Sequence, residues 1–415
     1  MKKTVVRPGR TVKVNKKLPM PVSGLKIGMY VTELDRPWIE TPFLLQGFHI
    51  ESLDHIEELE NYCEYVYIDE TQDQWSGAEE RSLLQTSGRK KAKIYQAASK
   101  ESYDNASRIH QHAHQLTRSF MDDVRFGRAI DIKEVKRTVS EIVSNMLVDP
   151  SAMMWVSKLR NKDEYTAEHS LNVGMLSVNL GQHLGLGNDD LHRLGVAGML
   201  HDIGKMRTPL EILNKESKLE PEEFRIMMAH AKSGRDILMS HKDIDHMAVD
   251  VAYGHHEMLD GSGYPRKIKA SGISDFTRMV TLADIYDAIT SERVYKKGQS
   301  SREALNILHQ GRGKKFDRKL VEEFIKCIGL YPPGSIVELA SGEVGLVISI
   351  NYRHRHLPKV MVIRDENKMP QKEQIVDLEK VAKKAQHGRL IKTIHANGVF
   401  GVRIEQYIQK GLRIS

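Results

Sequence analysis

The sequence predicts a mainly α protein: a central all-helical bundle, a small α+β module ahead of it and a short β-rich segment behind. Three observations predict this. Short β-like runs are confined to about residues 20–70 and to the stretch after residue 336. Between them, apolar residues recur at helical spacing. Proline-containing breaks at Pro150 and at Tyr331-Pro332-Pro333-Gly334 separate the regions. A length of 415 residues exceeds one typical core, so two or three domains are expected.

Residues 1–20 are basic and lack apolar periodicity, which reads as a flexible tail. Residues 21–70 form the α+β module. Its strands are expected at Leu25-Lys26-Ile27-Gly28-Met29-Tyr30-Val31, Phe43-Leu44-Leu45 and Tyr65-Val66-Tyr67-Ile68, with a helix from Ser52 to Asn61 capped by Ser52. Residues 71–150 are a linker and a helical segment. The linker is polar and lysine-rich (Arg89, Lys90, Lys91, Lys93), and the helical part carries Val135, Val139, Ile142, Val143 and Met146 at helical spacing.

Residues 151–335 are nearly all helix. Phe224, Met227, Met228 and Ala231 form a stripe at i, i+3, i+4, i+7, read as core with its methionines as filler. Residues 336–415 are the β-rich segment. Ile336 to Leu339, a turn at Ser341-Gly342 and Val344 to Ile350 make a hairpin, and Lys359 to Ile363 supplies a third strand. No internal repeat is evident.

The apolar fraction of 40% and the charged fraction of 28% suit a soluble globular protein. No run approaches the ~18–20 apolar residues of a membrane span, and no apolar stretch follows the basic N-terminus, so neither a span nor a secretory signal is expected. Two distant cysteines, Cys63 and Cys327, give no disulfide framework and no paired-cysteine metal motif. That usage fits a reducing compartment, and a cytoplasmic location is expected. A net charge of +7 with both signs interspersed reads as solvated surface. No helix-turn-helix accompanies the basic tail or the Arg353-His354-Arg355-His356 patch, so no nucleic-acid partner is expected.

The informative residue is histidine, present nineteen times. His201-Asp202 follows a helical segment and precedes Gly204 and Lys205. Such a pair offers an imidazole and a carboxylate from one stretch of backbone. A carboxylate can bridge two cations while imidazoles cap each one. One His-Asp pair is common by chance, but others accumulate: His169 at the start of a helical stretch, His230, the adjacent His255 and His256, and Asp284. Each lies on or beside an expected helix, at intervals of about one helical hairpin, as in bundles that point ligands inward. His183, His192, His241 and His246 lack such neighbours and are read as structural. No His-Glu-x-x-His helix is present: Glu257 follows the histidine pair, and no histidine closes the motif.

These segments resemble the HD-GYP class of the HD-domain phosphohydrolases. The resemblance rests on His201-Asp202-Ile203-Gly204-Lys205, on the run from His255 to Pro265 with its Gly263-Tyr264-Pro265 triplet, and on Arg278 through Lys296. It covers roughly residues 151–335 and makes the bundle HD-type. The front module, with Leu25 to Val31 and Tyr65 to Asp69, is similar to a domain of unknown function often found ahead of such domains.

The resemblance implies hydrolysis of cyclic di-GMP to pGpG, and in some members to GMP, in bacterial second-messenger signalling. It implies that His169, His201, Asp202, His230, His255, His256 and Asp284 ligate metal, with Asp202 as the bridge. Lys205 would lie near the scissile phosphate, Arg293 and Lys296 would contact substrate phosphates, and Tyr264 would shape the pocket. Imidazoles with carboxylates suit iron or manganese, without excluding zinc or nickel.

Two departures from the family matter. Some members hold a third metal with a glutamate one turn before the first histidine. Tyr165 stands there, and Glu168 lies on a different helical face, so two divalent ions are expected. Arg266-Lys267 replaces the usual glycine and leucine after the triplet, either as a tolerated loop change or as extra positive charge at the pocket mouth. Competing readings are a non-catalytic cyclic-dinucleotide receptor and an enzyme for another cyclic dinucleotide or nucleotide. A homodimer and a protein signalling partner are both left open.

Overall fold

A computed structural model describes residues 18–36, 41, 43, 47–50, 53–69, 100–158, 165–291, 298–351, 354, 356–383 and 390–409. The chain divides into two compact units, Met1–Gly88 and Arg89–Ser415.

In the first unit, β1 (Leu18–Pro21), β2 (Tyr30–Leu34), β3 (Phe48–His49), α1 (Leu53–Tyr62) and β4 (Tyr65–Ile68) build an antiparallel sheet of order β1-β4-β2-β3 with one helix. Val31, Ile50, Leu59, Val66 and Ile68 fill its core. β1 begins inside the stretch read as tail. Leu18 and Met20 alternate toward the core, while Pro19 and Pro21, which cannot donate to a ladder, are tolerated because β1 is an edge strand. The strand expected from Leu25 starts only at Tyr30, because the chain turns through Gly28 at φ +95°. Phe43 is buried but outside any strand. Leu44, Leu45, the proposed cap Ser52 and the linker over 71–99 lie outside the described residues.

The second unit opens with α2 (Lys100–Arg125), α3 (Ile132–Val148) and α4 (Pro150–Val156). Pro150 marks the expected break and is the first residue of the next helix, where Asp149 accepts from the Ala152 amide (3.0 Å). Then follow α5 (Tyr165–His183), α6 (Asn188–Leu200), α7 (Leu210–Leu213), α8 (Pro221–Met228), α9 (His230–Met239), α10 (His246–Gly254), α11 (Asp275–Thr290), α12 (Ser301–Gly311) and α13 (Arg318–Ile328). α5 is the axis of the bundle. It carries no lysine or arginine and is buried on every side from Ala167 to Gly181, packed by α2, α6, α11 and α13. α2 and α3, read from sequence as a segment ahead of the bundle, pack directly on α5 and α6.

The stripe from Phe224 to Ala231 is not one core face. The helix breaks at Ala229 into α8 and α9, and no residue of α8 is buried, although Ala231 is.

β5 (Ile336–Leu339), β6 (Val344–Ser349), β7 (Lys359–Arg364), β8 (Pro370–Asp377), α14 (Leu378–Lys383), β9 (Ile391–His395) and α15 (Ile404–Gln409) complete the unit. The sheet is antiparallel, in the order β8-β7-β6-β5-β9. The expected hairpin and third strand are its centre. β6 is wholly buried and is covered by α4, and the Tyr103 hydroxyl of α2 donates to the Ile348 carbonyl.

No helix among the described residues is long and apolar enough to cross a membrane. Both cysteines are buried and unpaired by disulfide.

Candidate metal centre

The bundle gathers its histidines from helix ends. His169 lies one turn into α5, His201 and Asp202 follow α6, His230 opens α9, His255 and His256 follow α10, and Asp284 lies within α11. These positions converge because backbone meets backbone closely behind them. A Cβ on Gly204 would stand 1.9 Å from the His230 carbonyl oxygen and 2.4 Å from the Gly234 nitrogen. Only glycine lets the turn Ile203–Arg207 lie against α9.

Four imidazoles are held through Nδ1. Nδ1 of His201 donates to Gly198 O (2.7 Å), that of His230 to Met227 O (2.6 Å) and that of His255 to Val251 O (3.1 Å). A carbonyl can only accept, so Nδ1 carries the proton and Nε2 turns a lone pair inward. Nδ1 of His169 meets Asp287 Oδ2 at 2.8 Å, which also accepts from Ser291 Oγ (2.9 Å).

Asp202, 1% exposed, sits between two pairs of these nitrogens. Its Oδ2 is 3.6 Å from His169 Nε2 and 3.3 Å from His201 Nε2, and its Oδ1 is 3.4 Å from His230 Nε2 and 3.5 Å from His255 Nε2. Asp284 Oδ1 lies 3.1 Å from His169 Nε2 and 3.9 Å from His201 Nε2, and its Oδ2 lies 4.0 Å from His256 Nδ1. Lys205 Nζ rests on Asp202 Oδ2. The structure thus brings together all seven residues singled out as ligands. Three overlapping sets place ligand atoms within 4.8 Å of one another: Asp202, His230, His255, His256; His169, His201, Asp202; and His201, His255, Asp284.

Electrostatics prepares the same residues. Burial opposes charge on Asp202, but Lys205 and His201 outweigh it and hold the carboxyl well below its usual range. Burial also opposes charge on Asp284, which His169 offsets, leaving it low. Burial pushes His230 down to about 3 and lowers His201 and His256. His169 is the exception: burial lowers it, yet Asp284 and Asp287 raise it to about 9. Charged carboxylates and neutral imidazoles are what a cation needs. The buried His201 Nε2, Asp202 Oδ1 and His256 Nε2 have no hydrogen-bond partner, which is costly in a purely structural cluster. Nitrogen and carboxylate donors with these orphaned atoms fit divalent metal ions.

Around the cluster, the Tyr165 ring stacks on His169 (5.6 Å, 9°), and Glu168 points elsewhere, 4.0 Å from His114 of α2. Tyr264 stacks on His256 (4.5 Å, 29°). Glu257 clamps the loop that carries Tyr264: its Oε1 accepts from Arg266 N (2.6 Å) and its Oε2 from Ile268 N (3.2 Å). Gly263 is required there, since a Cβ would lie 2.3 Å from the His256 carbonyl oxygen. Arg266 lies over the Tyr253 ring (4.7 Å) and 3.6 Å from Asp250, so its charge is engaged within the fold.

Arg293 and Lys296 lie outside the described residues. The histidines read as structural pair elsewhere: His183 with Glu323 (2.9 Å), His192 with Ser140 (2.9 Å), His241 with the Ile130 amide (3.1 Å), and His246 with Asp245 (3.6 Å). Sequence reasoning missed Asp287 and Glu257. Asp287 could have been found as the second aspartate at i+3 on the α11 face of Asp284. Nothing local marks Glu257 as a loop clamp.

A family model described as "HD domain" matches residues 141–320, and another, "Domain of unknown function (DUF3391)", matches residues 17–135. The chain is 34% identical over 369 residues to "Cyclic di-GMP phosphodiesterase PA4108" of Pseudomonas aeruginosa, covering 86% of this chain and 88% of that one. It is 32% identical over 206 residues to "3'3'-cGAMP-specific phosphodiesterase 1" of Vibrio cholerae, covering 49% and 46%. It is 37% identical over 166 residues to a "Cyclic di-GMP phosphodiesterase" of Thermotoga maritima, covering 40% and 45%. It therefore spans most of the first relative and less than half the length of the other two. Among solved structures, Bd1817, "a HDG"Y"P protein" from Bdellovibrio bacteriovorus, is 16% identical with a TM-score of 0.47, covering 75% of this chain and 99% of that one.

Proposed function

This chain belongs to the HD-GYP class of the HD-domain phosphohydrolases, fronted by the domain of unknown function that matches its N-terminal residues, and we propose that it hydrolyses cyclic di-GMP to pGpG. The observation that carries this reading is Asp202. One carboxylate oxygen faces His169 and His201, and the other faces His230 and His255, the arrangement a bridging ligand between two cations needs.

His169, His201, Asp202, His230, His255, His256 and Asp284 would hold two divalent ions, with iron or manganese favoured by the mixed nitrogen and oxygen donors. Tyr165 supports two ions over three, because its ring lies flat on His169 where a further carboxylate would stand. When bound, such ions supply a nucleophile near neutral pH and neutralise charge on phosphoryl oxygens.

The chain's own groups do the rest. Lys205 keeps Asp202 ionised and sets a compact positive charge at the edge of the cluster, where a phosphoryl oxygen gains charge during attack. Asp287 fixes the His169 ring, and Glu257 holds the loop that brings Tyr264 over His256. Arg293 and Lys296, which match the basic positions of the family pattern, would position phosphates before attack.

The test is to load the purified protein with iron or manganese under low oxygen and supply cyclic di-GMP. Formation of pGpG, abolished in His201→Ala and Asp202→Ala, is expected. No product from the loaded protein would sink the reading, and unchanged rates in the variants would sink the site. Running 3'3'-cGAMP in parallel decides the second reading, another cyclic dinucleotide, which the resemblance to the Vibrio cholerae enzyme supports.

A further inference from the structure

Phe224 is anomalous. It lies 46% exposed on an eight-residue helix that buries none of its residues. The other phenyl ring that is largely exposed among the described residues, Phe126, is flanked by the Arg128 guanidinium at 5.3 Å. Phe224 instead meets Tyr264 edge-on (6.2 Å, 79°), and Tyr264 stacks on His256. His230 also meets Tyr264 edge-on (6.2 Å). A continuous run of rings therefore leads from the imidazoles of the metal centre out to the partly exposed ring of Phe224.

The helix bearing that ring is anchored at both ends. Lys215 Nζ donates to Glu223 Oε1 (2.7 Å), and Glu223 Oε2 accepts from the Glu220 amide (2.7 Å). At the other end, the Met227 carbonyl holds Nδ1 of His230 (2.6 Å). A ring on so short and doubly tethered a helix is placed in advance of binding, so little order is lost when something stacks on it.

We propose that Phe224, with Tyr264, forms a stacking subsite for one purine base of the cyclic dinucleotide, an affinity-determining contact lying outside the metal cluster. This rests on the proposed phosphodiesterase reading. Tyr264 stacks on His256 of the cluster and meets Phe224, so a base attached to a phosphate held at the cluster has aromatic surface within its reach. Stacking on an aromatic face is favourable for any base and is worth about five- to a hundredfold in affinity. The phenyl ring offers no hydrogen bond, so the subsite favours a large planar base without selecting guanine over adenine.

The experiment measures calorimetric binding of a hydrolysis-resistant phosphorothioate analogue of cyclic di-GMP to the metal-loaded protein, beside hydrolysis of the abasic cyclic bis(phosphodiester) in which hydrogen replaces each base, a diester without any aromatic ring. For Phe224→Ala, a Kd raised about tenfold is expected, with the base-free diester hydrolysed at the wild-type rate and Phe224→Trp restoring the affinity. A Kd for Phe224→Ala within about twofold of wild type, or equal losses on both substrates, would overturn the subsite. If the wild type binds the analogue but does not open cyclic di-GMP, the hydrolysis reading falls while the Kd comparison still decides the stacking. A wild type that hydrolyses the base-free diester but does not bind the analogue would overturn the subsite.

Discussion

Replacing Asp287 by alanine removes the acceptor used by His169 Nδ1 (2.8 Å) and Ser291 Oγ (2.9 Å). His169 is 2% exposed, so no bulk water replaces that acceptor. A buried donor left without an acceptor is destabilised by about 1–3 kcal/mol. The same loss appears at the metal, because an imidazole without its outer partner must be reoriented before it can ligate. Removing such a partner typically weakens metal binding about 10–100-fold, which is roughly 1.4–2.7 kcal/mol at 1.36 kcal/mol per decade. The two routes agree in magnitude. Asparagine at 287 keeps an acceptor oxygen and should retain most of the affinity, so the expected order is wild type, Asp287→Asn, Asp287→Ala. The assay is manganese titration in competition with a chelator, with the melting temperature of the metal-free protein measured alongside. A melting temperature that drops in Asp287→Ala while its manganese affinity stays within about twofold of wild type would refute the orienting role.

Other perturbations probe the remaining parts of the site and its frame. Gly204→Ala puts a Cβ 1.9 Å from the His230 carbonyl oxygen, and since backbone must yield, a loss of at least about 1–3 kcal/mol is expected, read as a lower melting temperature together with reduced metal stoichiometry. Glu257→Gln leaves one of the Arg266 and Ile268 amides facing an NH2 group instead of an acceptor and the other with a neutral acceptor, so the Tyr264 loop should loosen and KM for cyclic di-GMP rise by roughly three- to tenfold, more than kcat falls. His309 is pushed down to about 4, first by burial and then by Arg312 and Arg318. Its folded pKa thus lies below its unfolded value of about 6.5, so its contribution is full above that pH and is lost as pH falls toward about 4. Urea denaturation at pH 7 and pH 5 should show His309→Gln losing about 2 kcal/mol less than wild type between the two, and equal losses would contradict the role of burial.

Much of the centre was legible because ligand chemistry is restricted to a few residue types. His201-Asp202, the His255-His256 pair and Asp284 declare themselves by residue type, and the periodicity around them places them on or beside helices. Positions whose role comes from the fold were not legible. β8 reads Pro370-Gln371-Lys372-Glu373-Gln374, a solvated edge strand with no apolar alternation, so nothing local marked it as a strand. Glu257 resembles any surface glutamate until the loop it holds is seen folded back on it. The Phe224 stripe shows the limit most clearly: helical spacing tells which residues share a face, but not whether another element covers it.

The sequence by itself determined a mainly α chain, the residue types of a metal centre and their placement on successive helices, because propensity, periodicity and donor chemistry are properties of short segments. Only the tertiary structure decided that the two oxygens of Asp202 face different histidine pairs, that carbonyls and Asp287 turn the Nε2 atoms of His169, His201, His230 and His255 inward, and that Phe224 stands partly exposed beside Tyr264. Those outcomes depend on distances between segments far apart in the chain, set by where backbones can approach, as at Gly204 against α9.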